Sequence, residues 1–181
     1  MIKTFASICF LLLTVLLSAQ EDDKTKGIFY KASFAATLTT NADYTISNTN
    51  DDETFINLNG LFINNTLGYQ FDERSSIGLN IEYDHFLDQE LNFFPVYLNF
   101  TYNIVDFDDV LFVRGGYGTL VDLGESFENG TLYTVGLGYR IFDDDFRNSW
   151  LVGFDFSRRR FGNQQNDKLS SVAIFLEFML F

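Results

Sequence analysis

From Ile28 onward, every second residue is apolar: Ile28, Tyr30, Ala32, Phe34, Ala36 and Leu38, alternating with positions that include Lys31, Ser33, Thr37 and Thr39. A period of two is the signature of a strand whose two faces meet different surroundings. The pattern returns in further segments along the chain: Leu61–Phe71, Ile77–Tyr83, Phe94–Tyr102, Leu111–Val121, Tyr133–Ile141, Trp150–Phe156 and Val172–Leu180. That makes about eight strands, each of the length a tilted strand needs to cross a bilayer. The 22 Phe and 9 Tyr against a single Pro agree, since aromatic rings suit pleated surfaces and proline breaks ladders. After Gln20 no apolar stretch is long enough for a spanning helix.

Which face is buried separates two kinds of barrel. On the polar face, mid-strand positions hold Gly, Asn, Thr and Ser with a few isolated charges, not the dense Lys and Glu of a water-facing exterior. The apolar face is almost free of charge at mid-strand. It carries aromatics at both ends: Tyr30, Tyr69, Phe71, Tyr102, Tyr139, Trp150 and Phe178 at one, and Phe55, Tyr83, Phe94 and Tyr133 at the other. Rings at both water–lipid boundaries form the girdles of membrane barrels. A soluble lipocalin-like barrel, with the apolar face lining a ligand cavity, is the competing architecture.

The connections alternate as well. "FDERSS", "DFDD" and "DDDFRNS" are tight and acidic, whereas "NADYTISNTNDDE", "HFLDQELN", "DLGESFENG" and "GNQQNDK" are longer. Short turns on one rim and long loops on the other is the arrangement of outer-membrane barrels. "GYQFD" at Gly68, "TYNIVD" at Thr101 and "GYRIFD" at Gly138 recur about every 35 residues, one per hairpin, each closing a descending strand. "LEFMLF" is a fourth member of this series, which places the last residue at the tight-turn rim.

The amino terminus, "MIKTFASICFLLLTVLLSAQ", reads as a secretory signal peptide over residues 1–19: Lys3, a short apolar core, then Ser18 and Ala19 for cleavage. A retained anchor is the alternative, disfavoured by the short core. Cys9 is the only cysteine and lies in that segment, so residues 20–181 form a barrel domain without disulfides or a thiol nucleophile. With 12 Lys and Arg against 25 Asp and Glu, the formal charge is −13, and no basic stripe suits nucleic acid.

Over the whole mature region the alternating strands, the turn asymmetry, the signal peptide and "LEFMLF" resemble the small eight-stranded outer-membrane barrels of the OmpA/OmpX type. The ending "AQ" resembles Bacteroidota-type export signals. The resemblance implies an all-β, up-and-down antiparallel transmembrane barrel in the outer membrane of a Gram-negative bacterium. It also implies outer-membrane lipid and lipopolysaccharide as surroundings, the barrel-assembly machinery as a partner in biogenesis, and a monomer. Where that family's terminal Phe shares the lipid-facing parity, Glu177 occupies the parity of Phe181 here, so Val172 to Leu180 are assigned outward instead.

Glu82, Arg114, Arg140, Asp155 and Glu177 all fall on the polar face, and buried charges must pair. They are expected to form a structural salt-bridge network plugging the lumen, with a conducting path as the alternative. Arg158 and Arg160 face lipid at the long-loop rim, either clamping lipopolysaccharide phosphates or snorkelling. His85, the only histidine, sits beside Asp84 and raises a lipid A acyl-modifying enzyme as a rival. No Ser lies at the same strand end, so the expected role is non-catalytic. The acidic turns lack the spacing of a calcium loop, and no metal or cofactor is expected. Loop 41–54 is the candidate interaction surface.

Overall fold

The computed structural model describes residues 26–40, 56–106, 110–124, 126–144, 148–162 and 167–181. Residues 1–25, which include the signal segment 1–19, together with loop 41–54, Phe55 and parts of four other connections, lie outside the described residues. The strands are β1 (Gly27–Thr40), β2 (Ile56–Gln70), β3 (Ser75–Phe86), β4 (Leu91–Phe93), β5 (Pro95–Asp106), β6 (Val110–Leu120), β7 (Gly130–Phe142), β8 (Asn148–Phe161) and β9 (Asp167–Leu180). Every pairing between strands is antiparallel, and β9 pairs with β1 as β2 does with β3, so the wall closes on itself. The fold is a closed barrel of eight staves.

The fourth stave is in two pieces, because β3 pairs first with β4 and then with β5. The break falls at Phe94, just before Pro95, which has no N–H to give a ladder. The expected long loop "HFLDQELN" is thereby corrected to a hairpin. β3 continues to Phe86, Leu87–Glu90 turn, and β4 returns. Glu90 takes a left-handed φ of 53° to close it. The hairpin is tied down by a bulge in β2, where Asn59 drops out of the ladder with β1. Its backbone carbonyl accepts from Leu87 N–H at 2.7 Å and its Oδ1 from Asp88 N–H at 3.3 Å.

Paired residues traced once around the sheet run Gly27, Gln70, Ser76, Thr101, Arg114, Gly136, Asp155, Ala173 and back to Thr37, ten residues further along β1. Eight staves with a shear of ten give a strand tilt of about 40–45°.

The two faces are sorted as the alternation dictates. Outside, mid-strand apolar residues are about two-fifths to two-thirds exposed, from Ile174 at 41% to Val135 at 63%. Inside are Lys31, Asn64, Thr66, Asn80, Arg114, Arg159 and Glu177, all buried. A soluble barrel with its apolar face inward is overturned by this arrangement. The inner parity also carries Phe29, Phe62, Phe86, Phe112 and Phe175. These rings fit because glycines lie beside them. Phe112, Gly138, Gly153 and Phe175 form one cross-strand row, with the rings leaning over the glycines between them. β9 runs without register shift to Leu180, so Phe181 keeps the inner parity and meets Phe29 edge-on at 5.9 Å.

Among the tight turns, Asp72 Oδ1 accepts from the backbone N–H groups of Arg74 at 2.8 Å and Ser75 at 2.6 Å. These two donors hold its carboxyl below the ordinary aspartate range. A depressed folded pKa contributes stability above the unfolded value and loses it as pH falls. Asp72→Ala should therefore lower the urea midpoint at pH 7, with the gap to wild type closing below pH ~4. A Cβ on Gly138 would overlap the rings of Phe112 and Phe175. Gly138→Val should cost about 1–3 kcal/mol in urea unfolding, and adding Phe112→Ala should recover part of it.

Candidate functional site

The candidate site is the barrel interior, to which the described staves turn four buried cations (Lys31, Arg114, Arg140, Arg159) and four carboxylates, buried Glu82, Asp84 and Glu177 and the partly buried Asp155. The formal charges cancel. The register decides who meets whom. Arg114, Gly136 and Asp155 lie in one cross-strand row, and Gly136 leaves the space that lets the outer two touch.

Arg114 is the centre of the middle layer. Its Nε donates to Asp155 Oδ1 at 2.9 Å, its Nη2 to Asp155 Oδ2, and its Nη1 to Glu177 Oε1 at 2.6 Å. Paired, charge-assisted bonds of this kind are the strong class. Lys31 Nζ lies 3.3 Å from Glu177 Oε2, completing a two-by-two set. The guanidinium rests on the Phe175 ring at 3.9 Å.

Towards the long-loop end lies a second layer centred on Arg159, which is fully buried. Its Nε and Nη2 both donate to Asp84 Oδ2, at 2.8 and 2.5 Å, and Nη1 donates to Ser171 Oγ at 3.1 Å. Glu82 Oε1 is 3.6 Å away. The rings of Phe62, Phe86 and Phe93 surround the guanidinium at 4.8, 5.1 and 5.7 Å. Glu82 also accepts from the Tyr97 hydroxyl at 2.9 Å, which in turn accepts from Asn64 Nδ2 at 3.0 Å. Between the two layers is a cavity of about 20 Å³ lined by Asn64, Glu82, Tyr97, Arg114 and Asp155 among others, room for about one water.

Arg140 forms the third layer, at the tight-turn end. Its Nε donates to Ser149 Oγ at 2.8 Å and its Nη1 to Gln70 Oε1 at 3.3 Å. The rings of Phe142 and Phe181 lie 4.3 and 5.4 Å from it.

Of the five residues read from sequence as one network, Arg114, Asp155 and Glu177 come together. Glu82 belongs to the layer of Arg159, and Arg140 to the floor with Gln70 and Ser149. Sequence reasoning missed Lys31, Asp84 and Arg159 as members, although their parity was available. Arg159 is the inward residue between Arg158 and Arg160, both of which are exposed.

His85 is at the long-loop rim, with Nδ1 2.9 Å from Asn92 Oδ1, which also accepts from the Tyr83 hydroxyl at 2.9 Å. Among the described residues no serine or threonine hydroxyl is hydrogen-bonded to it. Nor, among them, do three or more His, Cys, Asp or Glu gather as a metal site would need.

An apolar exterior around a charged, paired interior defines the class: an eight-stranded antiparallel barrel of the transmembrane kind. No family model matches the sequence, and no curated protein matches it. Among solved structures, Neisserial surface protein A is similar at 9% identity with a TM-score of 0.56, over 84% of this chain and 96% of that one. The amino-terminal barrel domain of Pseudomonas aeruginosa OprF gives 10% identity and a TM-score of 0.49, over 84% and 97%. A designed transmembrane β-barrel gives 12% and 0.44, over 84% and 95%. At 9% identity the likeness to Neisserial surface protein A is one of fold.

Removing Asp84 alone leaves Arg159 buried without its main partner. Asp84→Ala should destabilise the barrel by about 3–5 kcal/mol in unfolding from detergent or liposomes. The triple change Glu82→Gln, Asp84→Leu, Arg159→Met, which removes the charges together, should recover most of that loss.

Proposed function

We propose that the chain is a non-catalytic integral protein of the outer membrane of a Gram-negative bacterium, reached through a Bacteroidota-type export signal. Its lumen is plugged by its own side chains, and it serves envelope integrity or surface interaction through its long-loop end. The observation that carries this reading is the inversion of the barrel: apolar residues outside, paired charges within. In hydrocarbon only helices and closed barrels satisfy their backbone, and a closed sheet with an apolar belt meets that requirement. The three layered arginines, backed by aromatic rings, support a plug rather than an ion path.

The long-loop rim offers a preformed surface. Asn92 bridges to Phe127, Glu128 N–H donates to the Asn92 carbonyl at 3.3 Å, and Val121 N–H donates to that of Phe94 at 2.9 Å. These bonds join the β3–β4 hairpin to the connection between β6 and β7. A lipid A-modifying activity through His85 is the rival, and it lacks a bonded nucleophile among the described residues.

The protein should appear in the outer-membrane fraction and migrate differently before and after boiling, because a closed ladder resists detergent until heated. In planar bilayers the folded protein should give no steady conductance steps. A soluble periplasmic protein without a heat shift would overturn the membrane assignment, and regular open-channel currents would overturn the plug.

A further inference from the structure

We propose that Arg158, Arg160 and Lys168 form a binding site for the phosphate groups of an outer-leaflet glycolipid, on the outer face of β8 and β9. This inference rests on the outer-membrane reading given above. Three cross-strand rows define the site. The lowest is Val135, Phe156 and Val172, all exposed and apolar. The next is Tyr133, Arg158 and Ser170, and the uppermost is Thr131, Arg160 and Lys168. The boundary between hydrocarbon and headgroups therefore falls where the first arginine begins.

Two features argue that the cations are more than snorkelling side chains. Arg160 and Lys168 stand directly opposite each other on adjacent strands with the same outward parity. Like charges in that relation repel, so an anion shared between them would turn an unfavourable pair into a favourable one. Among the described residues neither they nor Arg158 makes an ion pair with a carboxylate, whereas all four luminal cations are engaged by polar side chains.

The distribution of charge makes the cluster conspicuous. The other charged residues described at the loop end are acidic: Asp88, Glu90, Asp122, Glu128 and Asp167. Lys26 and Arg74 belong to the opposite end, beside the tight turns. Every described outward cation at the loop end thus lies on this one two-strand face, in a chain of formal charge −13. An acidic rim repels polyanionic headgroups everywhere except here.

The chemistry fits a phosphate at the membrane surface. Two guanidinium forks and an ammonium can surround a phosphate group, and the Ser170 hydroxyl in the Arg158 row adds a neutral donor. Arg160 stacks on the Tyr133 ring at 5.8 Å, and that ring lies 5.0 Å from Tyr117, which braces the guanidinium from below. The exposed Phe156 and Val172 beneath would lie along the acyl chains of the same lipid. A soluble phosphate would gain nothing from that apolar floor.

The test uses the full mature protein folded in detergent. Native mass spectrometry would count retained lipid A carrying both phosphates, the same lipid with phosphates removed, and inorganic phosphate. The expected result is retention of the phosphorylated lipid, falling at least tenfold for the dephosphorylated form and for the triple variant Arg158→Gln, Arg160→Gln, Lys168→Gln. Equal retention by the variant, or of the dephosphorylated lipid, would overturn the site and leave snorkelling. Displacement by millimolar inorganic phosphate would overturn it in favour of a soluble anion. Heat-shifted mobility, measured on wild type and variant, separates the failures. A variant that keeps the shift and the lipid defeats only this site, whereas a wild type lacking the shift defeats the membrane reading.

Discussion

The closure of β9 on β1 is the constraint from which the rest follows. A sheet embedded in an apolar medium has no solvent to satisfy its edge amides and carbonyls, so the first and last staves must pair. Once they do, eight staves with a shear of ten enclose a bore of the width that inward-pointing side chains can fill. Outward positions at mid-height are then reserved for apolar residues, and the charges at that height are sent inward, where they need partners. The balance of four cations against four carboxylates is a consequence of closure.

Strand number and facing were legible because a period of two survives any error in exact boundaries. Leu61 to Phe71 and Tyr133 to Ile141 name their outer face directly, and the inner face follows by subtraction. Which inner residues touch was not legible. Arg159 is 75 residues from Asp84 and Arg114 is 63 from Glu177, and only the shear brings them to one height. The sequence contains no local sign of the shear. Arg140 shares a parity with Arg114 yet sits a layer away, beside Gln70 and Ser149.

The inner aromatics were hidden for a different reason. Phe29, Phe62, Phe112 and Phe175 fall on the face whose other members are Gly, Asn and Thr, and a reading that sorts residues by polarity sets them aside as exceptions. Volume explains them: a row of Phe, Gly, Gly and Phe fills the same width as four medium side chains. The same logic accounts for Gly136 between Arg114 and Asp155. The break at Phe94 and Pro95 could be read from the lone proline, but the inward turn of Phe93 towards Arg159 could not, since it depends on the hairpin that Asn59 holds.

The luminal contacts also differ in how far they reach. Counting staves around the ring, Asp84 on β3 and Arg159 on β8 stand diametrically opposite, and so do Gln70 on β2 and Arg140 on β7. Arg114 on β6 and Glu177 on β9 span a chord between them in height. A thin-walled cylinder yields most easily by flattening into an ellipse, a deformation that a hydrogen-bonded wall alone resists poorly. Two diameters and a chord, at three levels, act as the spokes of a wheel. Lateral pressure from a crowded bilayer is thus carried across the bore as well as around the rim, and the barrel keeps a round cross-section.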